Sequence, residues 1–305
     1  MLASPVDLEK LRFPVIVSPK LDGIRALITP EGPKTRMLKD IPNEYIRKTL
    51  SDPWLTGLDG EILTYTEKID QDSPSGITEK VDDFNTIQGN VMRHDGQPRF
   101  KFVIFDDFTN DRQPYSERWL KTFNRAYPHF VHVLPSFWVD DLNELHKYEE
   151  RFVSQGYEGM MIRDPRGTYK FGRATSNSQE LLKMKRFFDS EATVVGFSER
   201  MSNYNTAVRN EVGNLKRSKA QEGLVGSNML GTLIVRFWIK PSKTAPYVHK
   251  EFEIGTGFTD SQRHQLWRER RSLIGKTVTF KYQEISKYGV PRFPVFLGFR
   301  YDLEE

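Results

Sequence analysis

The chain has 305 residues and no cysteine. Disulfides, thiolate metal sites and cysteine nucleophiles are therefore excluded. Nowhere do ~18 apolar residues run together, so no membrane-crossing helix is expected. Met1 to Lys10 shows no basic start followed by an apolar run, which argues against a signal peptide and for a cytoplasmic setting. No Pro/Gly/Ser-rich linker and no internal repeat divides the chain.

What is present fits a soluble globular protein. Hydrophobic residues make up 37% and charged residues 28%, enough to bury a sizeable core. The length suggests two domains, on a prior of ~150 residues each. Net charge is +4, too mild by itself to name a partner. The clusters Lys183-Met184-Lys185-Arg186, Lys216-Arg217-Ser218-Lys219 and Arg268-Glu269-Arg270-Arg271 concentrate positive charge toward the C-terminal half, as a polyanion-binding surface would.

The stretch Ser18-Pro19-Lys20-Leu21-Asp22-Gly23-Ile24-Arg25-Ala26 stands out. It lies between the apolar runs Pro14–Val17 and Ala26–Ile28, which predicts a hairpin turning at Asp22-Gly23. A lysine beside a core is costly unless it is used, and burial or cationic neighbours turn its amine into a nucleophile. The plainer alternative is a surface hairpin with solvated charges.

Further along, a helix is expected from Pro42 to Leu50, and Leu58–Leu63 reads as a strand carrying Asp59 and Glu61. Thr78 could cap a helix presenting Val81, Phe84 and Ile87. Phe100–Phe108 reads as a buried strand. Ser116 could cap a helix with Trp119, Phe123 and Tyr127 inward. A capping box at Asp141–Glu144 opens another helix, ending near Gly156. Gly159–Asp164 and Leu181–Lys185 are strands, the second with Lys183 and Lys185 on one face. Beyond Phe188 the character becomes mostly β: Ala192–Phe197, Gly231–Phe237 and Thr277–Tyr282 are strands, and Asp260–Leu273 is a helix. The expected organisation is an α+β domain over residues 1–188, then a small all-β domain over 189–305.

In order, the charged motifs are K-x-D-G-x-R at Lys20–Arg25, T-R at Thr35–Arg36, D-G-E at Asp59–Glu61, F-D at Phe105–Asp106, E-G at Glu158–Gly159 and K-x-K at Lys183–Lys185. Their order and spacing resemble the covalent nucleotidyltransferases, specifically the small viral, phage and bacterial ATP-dependent DNA ligases. The resemblance covers nearly the whole chain. It implies a nucleotidyltransferase domain with mixed antiparallel sheets (ATP-grasp-like) followed by an OB-fold barrel. It further implies that Lys20 attacks the α-phosphate of ATP, that AMP passes to a DNA 5′-phosphate at a nick, and that the 3′-hydroxyl then displaces it.

By the same resemblance Lys20, Lys183 and Lys185 are catalytic. Arg25, Glu61, Phe105, Pro19 and the two later lysines contact the nucleotide, Glu61 at the ribose and Phe105 on the adenine. Asp22 and Glu158 hold Mg²⁺ or Mn²⁺, and Arg25 and Arg36 grip sugar and the nick phosphate. The chemistry suits these residue types. A lysine with an ordinary pKa near ~10.4 is protonated at neutral pH, and neighbouring cations would free its amine. Those cations would also stabilise charge on a phosphoryl group in flight. Carboxylates are hard ligands for Mg²⁺, and arginine offers a planar fork to phosphate. Without the family, Phe105 is a core residue, Asp59 and Glu61 are ordinary strand carboxylates, Glu158 is a partner for Arg163, and the two lysines are a solvated strand face.

In the OB domain, the polar insertion from Asn203 to Asn228 corresponds to a latch that clamps DNA through Lys216, Arg217 and Lys219. Its few apolar residues predict mobility until DNA is bound. The family's closing R-x-D-K appears here as Arg300-Tyr301-Asp302-Leu303, leaving Arg292 or Arg300 to act on the pyrophosphate. Nicked duplex DNA is the expected partner of a monomer. An mRNA-capping guanylyltransferase, an RNA ligase and an inactive nucleic-acid-binding module are the alternatives.

Overall fold

The structure, a computed structural model, describes residues 1–69, 77–239, 248–286 and 288–300. The chain divides into two compact units, Met1–Lys185 and Arg186–Glu305. No helix among the described residues is long and apolar enough to cross a membrane.

The first unit is built on two sheets. One orders the strands Ser4–Pro5, Leu182–Lys185, Gly159–Arg163, Val15–Pro19 and Phe137–Val139. The other orders Gly32–Thr35, Ile24–Thr29, Leu58–Ile69, Phe100–Asp107 and Val131–Val133, with Ile77–Val81 pairing the far end of Leu58–Ile69. Both are mixed, since Ser4–Pro5 and Val131–Val133 join their neighbours in parallel while the other pairings are antiparallel. Each sheet has its own core. Val15, Val17, Val139, Leu145, Phe152, Met160, Ile162 and Leu182 fill one. Ala26, Ile28, Ile46, Leu50, Ile62, Phe102 and Ile104 are among those filling the other.

This arrangement corrects the expected opening hairpin. Val15–Pro19 and Ile24–Thr29 do not pair; each belongs to a different sheet, and Lys20–Gly23 is the crossover between them. Both segments are apolar because each enters a core, which in sequence looks the same as two arms of one hairpin.

The helices show where local signals mislead. Asn43, whose side chain accepts from the Ile46 N–H at 2.9 Å, caps Glu44–Leu50. The second helix, Phe84–Met92, is capped by Asp83, and Thr78 lies in the strand Ile77–Val81 instead of at a helix start. The third, Tyr115–Phe123, has no side-chain cap and is rotated relative to expectation, with Trp119 half-buried and Tyr127, beyond its end, packed against the core. Tyr115, Arg118 and Thr122 are buried and Phe123 is exposed, because a buried carboxylate draws Arg118 inward. The helix Leu142–Ser154 starts as expected, with Asp141 accepting from the Glu144 N–H at 2.8 Å.

The second unit is a five-stranded antiparallel sheet ordering Val248–Ile254, Leu224–Ile239, Phe188–Asn203, Thr277–Tyr282 and Val295–Phe299. The expected strands Ala192–Phe197 and Gly231–Phe237 are segments of longer ones, and Thr277–Tyr282 falls where expected. The two edges meet at a bridge between Thr256 and Val295, with the Phe296 N–H donating to the Thr256 carbonyl at 2.9 Å. Leu233, Val235, Ile254, Val278 and Phe280 lie fully buried inside. The expected helix runs from Asp260 to Arg268, behind a Thr259/Gln262 capping box, and passes into a 3₁₀ turn at Arg270–Leu273.

Candidate active site

The two sheets of the first unit divide the charged motifs between them. Lys20 and Glu158 adjoin strands of the five-stranded sheet, and Lys183 and Lys185 lie within it. Asp59, Glu61, Arg25 and Phe105 lie on the other sheet. The crossover carries Asp22.

Lys20 is held at the end of its strand by a backbone bond, its N–H donating to the Gly159 carbonyl at 2.9 Å. Its ammonium forms an ion pair with Glu158 and donates to the Leu21 carbonyl at 3.2 Å. Lys185 reaches the same Glu158 oxygen at 2.9 Å. Burial alone would raise the Glu158 carboxyl, but Lys20 and Lys185 outweigh it and hold Glu158 below the ordinary carboxylate range. Glu158 is thus no partner for Arg163. Gly159 makes this approach possible. It sits at φ +145°, and a Cβ there would lie 2.2 Å from the Met184 carbonyl oxygen, so a side chain would push the Glu158 strand away from Leu182–Lys185.

Lys183 occupies the same strand face as Lys185. Its amine is depressed, first by burial and then by Lys185, Lys20, Arg173 and Arg36. Asp22 and Glu158 offer half-buried carboxylate oxygens within 4.8 Å of each other. Two hard oxygen donors at that separation fit a divalent cation that keeps several of its waters.

On the facing side, Glu61 is pushed up to about 7, chiefly by burial; Lys20 and Arg25 pull it down and Asp59 adds to the rise. The Gly23 N–H on the crossover donates to it. Arg25 is engaged differently from expectation. Its guanidinium forks onto Asp59, with Nε to Oδ1 at 2.8 Å and Nη2 to Oδ2 at 2.5 Å, and also donates to the Met1 carbonyl and to the Tyr169 hydroxyl at 3.3 Å. Tyr169 in turn donates to Asp59 at 2.7 Å. In this structure Arg25 anchors β-structure internally, which leaves little of its fork for sugar or phosphate.

Phe105 is half-buried against the second core, with Arg163 5.6 Å from its ring centre. Its neighbour Asp106 is fully buried and takes two arginines: Arg118 at 2.8 Å and 3.2 Å, and Arg163 at 2.8 Å. Pro19 is buried in its strand, opposite Met160. Arg36 is exposed at the end of Gly32–Thr35, near enough to act on Lys183. Sequence reasoning missed Tyr169 and Arg173. The run Tyr169-Lys170-Phe171-Gly172-Arg173 interleaves bases with aromatics, a signal of nucleic-acid surfaces that could have found them.

In the second unit the 203–228 insertion carries secondary structure of its own. It contains the hairpin Ala207–Arg209 with Leu215–Arg217 and a 3₁₀ turn at Gln221–Gly223. Lys216 and Arg217, adjacent on one strand, point to opposite faces, and Arg217 donates to the Asn205 carbonyl. Lys219 is exposed. Arg292 pairs with Glu284, and Arg300 with Glu191 at 2.8 Å. Tyr301, Asp302 and Leu303 of the closing motif lie outside the described residues.

One lysine, a carboxylate pair and two further lysines are thus gathered around one strand end. The family model for the ATP dependent DNA ligase domain matches residues 1–185, and that for the DNA ligase OB-like domain matches residues 225–300. A DNA ligase of African swine fever virus is 22% identical over 309 residues, covering 93% of this chain. This chain spans 63% of that relative's length. A DNA ligase of Haemophilus influenzae is 23% identical over 294 residues, with 92% and 85% of the two chains covered. The structure of a Chlorella virus DNA ligase-adenylate superimposes with a TM-score of 0.51 at 29% identity, over 100% and 98% of the chains. A Lig E DNA ligase shares the fold, with a TM-score of 0.66 at 24% identity and 98% of each chain covered. The chain belongs to the ATP-dependent DNA ligase family.

Proposed function

We propose that this protein seals nicks in duplex DNA through a lysyl-AMP intermediate, with Lys20 as nucleophile. The observation that carries the reading is the Lys20–Glu158–Lys185 cluster, with Lys183 on the same strand face. In the resting state Glu158 orients the Lys20 ammonium and balances its charge. When Glu158 is engaged elsewhere, Lys20 is left against two other cations, the condition under which a lysine sheds its proton and attacks. Its amine bonds to the α-phosphorus of ATP, and pyrophosphate leaves. Lys183 and Lys185 would stabilise the charge on the non-bridging oxygens.

Asp22 and Glu158 would hold Mg²⁺ or Mn²⁺, which supplies Lewis-acid stabilisation of the phosphoryl group. Glu61 and Phe105, on the opposite sheet, would take the ribose and the adenine. Arg36 and the exposed lysines of the insertion would contact the DNA backbone, with the protein acting as a monomer. AMP then passes to the 5′-phosphate, and the 3′-hydroxyl displaces it.

Incubation with α-labelled ATP tests this directly. An acid-labile, base-stable adduct is expected on the wild type and none on Lys20→Ala or Lys20→Arg, since guanidinium stays protonated. Labelling by GTP instead would favour a guanylyltransferase. Full labelling of Lys20→Ala would remove Lys20 from the mechanism.

A further inference from the structure

The insertion at 203–228 has almost no apolar reason to be folded. Its strands are three residues each, and Tyr204, Val208 and Leu215 are 72%, 59% and 66% exposed. A two-stranded hairpin with so little burial is marginal by itself. At its base the ladder between Phe188–Asn203 and Leu224–Ile239 runs as far as the Asn203–Leu224 pair, and a polar clasp closes beyond it. The Asn205 carboxamide nitrogen lies 3.0 Å from Asn203 Oδ1, 3.1 Å from the Ser218 carbonyl and 2.9 Å from the Ala220 carbonyl. Asn203 donates to the Ser218 carbonyl at 2.7 Å, and the Tyr204 N–H donates to the Gly223 carbonyl at 2.8 Å. Arg217 closes the ring by donating to the Asn205 carbonyl. The carboxamide fits only because residue 223 is glycine: a Cβ there would lie 2.3 Å from Asn205 Oδ1.

The clasp also reassigns the insertion's cations. Arg217 is spent in the neck, and Arg209 donates to the Gly213 carbonyl at 2.7 Å, fastening the tip. Lys216, on the Val208 face, and Lys219 are the two exposed lysines. Two of the insertion's four basic side chains therefore serve its own shape.

We propose that Asn205 is a positioning residue. Its side chain, seated against Gly223, keeps the insertion as a preformed hairpin that presents Lys216 and Lys219 to DNA without a prior ordering step. The proposal rests on the reading that this insertion grips nicked DNA. A preformed element loses less conformational freedom on binding than a disordered one, so loosening the clasp should weaken binding without removing any phosphate contact.

The test has three parts. Hydrogen exchange on the free protein should show protection across the hairpin amides, lost in Asn205→Ala; an unprotected wild-type hairpin overturns the proposal. Binding to a nicked duplex across a salt series should place Asn205→Ala about 10-fold weaker on a line parallel to the wild type. Lys216→Ala should instead flatten the slope by ~0.9. Wild-type affinity in Asn205→Ala, or a changed slope, overturns the positioning role. Finally, Gly223→Ala should loosen the hairpin in the wild type yet add nothing to Asn205→Ala, where the clash is gone; additive effects overturn the clasp. Melting temperatures check that each variant folds. Replacing 203–228 by a short Gly/Ser turn examines the underlying reading separately. Unchanged nick binding in that variant rejects the grip, while the exchange data still report whether the hairpin is preformed.

Discussion

Replacing Glu61 by glutamine should stabilise the protein while disabling it, and the stabilisation should depend on pH in a defined way. Burial pushes the Glu61 carboxyl from its ordinary 4.5 to about 7. Below pH 4.5 the group is neutral in both folded and unfolded chains, so the wild type and Glu61→Gln should differ by a constant amount. Between 4.5 and about 7 the unfolded chain ionises first, and the folded state loses relative stability as pH rises. Above about 7 the loss is complete. At 1.36 kcal/mol per pH unit, the interval sets a ceiling of about 3 kcal/mol. For a folded unit of this size that corresponds to roughly 6–12 °C in melting temperature. Thermal melts of both proteins at closely spaced pH values between 4 and 8.5 would measure it. The gap should open in favour of Glu61→Gln across that window and then level off. If the two curves stay parallel throughout, Glu61 is well solvated and the burial argument is wrong. Labelling with ATP on the same samples should fall, since the amide presents a weaker acceptor to a ribose hydroxyl.

Asp106→Ala should cost about 3–5 kcal/mol, because it strands Arg118 and Arg163 without a counter-charge in the interior; denaturant melts would show this, and a loss below 1 kcal/mol would mean water reaches the site. Glu158→Ala should abolish metal-dependent adduct formation, whereas Asp164→Ala, which disturbs a turn bond to the Arg166 N–H and an ion pair with the exposed Arg166 side chain, should leave most of it; equal losses would make Glu158 structural. Lys183→Met should slow adduct formation by at least ~10²-fold without changing the melting temperature appreciably, as expected for a group that stabilises developing charge, and an unchanged rate would place it outside the phosphoryl site.

Much of the site was legible because its residues lie at strand ends, where residue order and spacing translate almost directly into position. Lys20, Glu158, Lys183 and Lys185 come together because three neighbouring strands end at one place. What could not be read was the partnership within each group. Alternation marks a residue as inward-facing but does not say which charge it meets. Arg25 therefore looked available for a ligand, whereas Asp59 and Tyr169 occupy it. The helix Tyr115–Phe123 failed for the same reason. Its aromatic residues suggested the inner face, but the buried Asp106 demanded Arg118 there, and an ion pair inside the core outweighed the hydrophobic pattern. The hairpin in the insertion could not be read because its polar contacts come from side-chain amides beside a glycine, and composition weighs neither.

The crossover at Lys20–Gly23 joins two sheets that each enclose a separate core. A nucleotide attached to Lys20 on one side and held by Glu61 on the other would act as a molecular rivet across that seam. The buried Asp106–Arg163 ion pair already joins the two sheets, and the nucleotide would add a second tie between them. Charging the enzyme would then do more than store a reactive phosphoramidate. It would raise the melting temperature of the first unit, visible in calorimetry, and discharge of AMP onto DNA would remove that added tie before the next nucleotide enters.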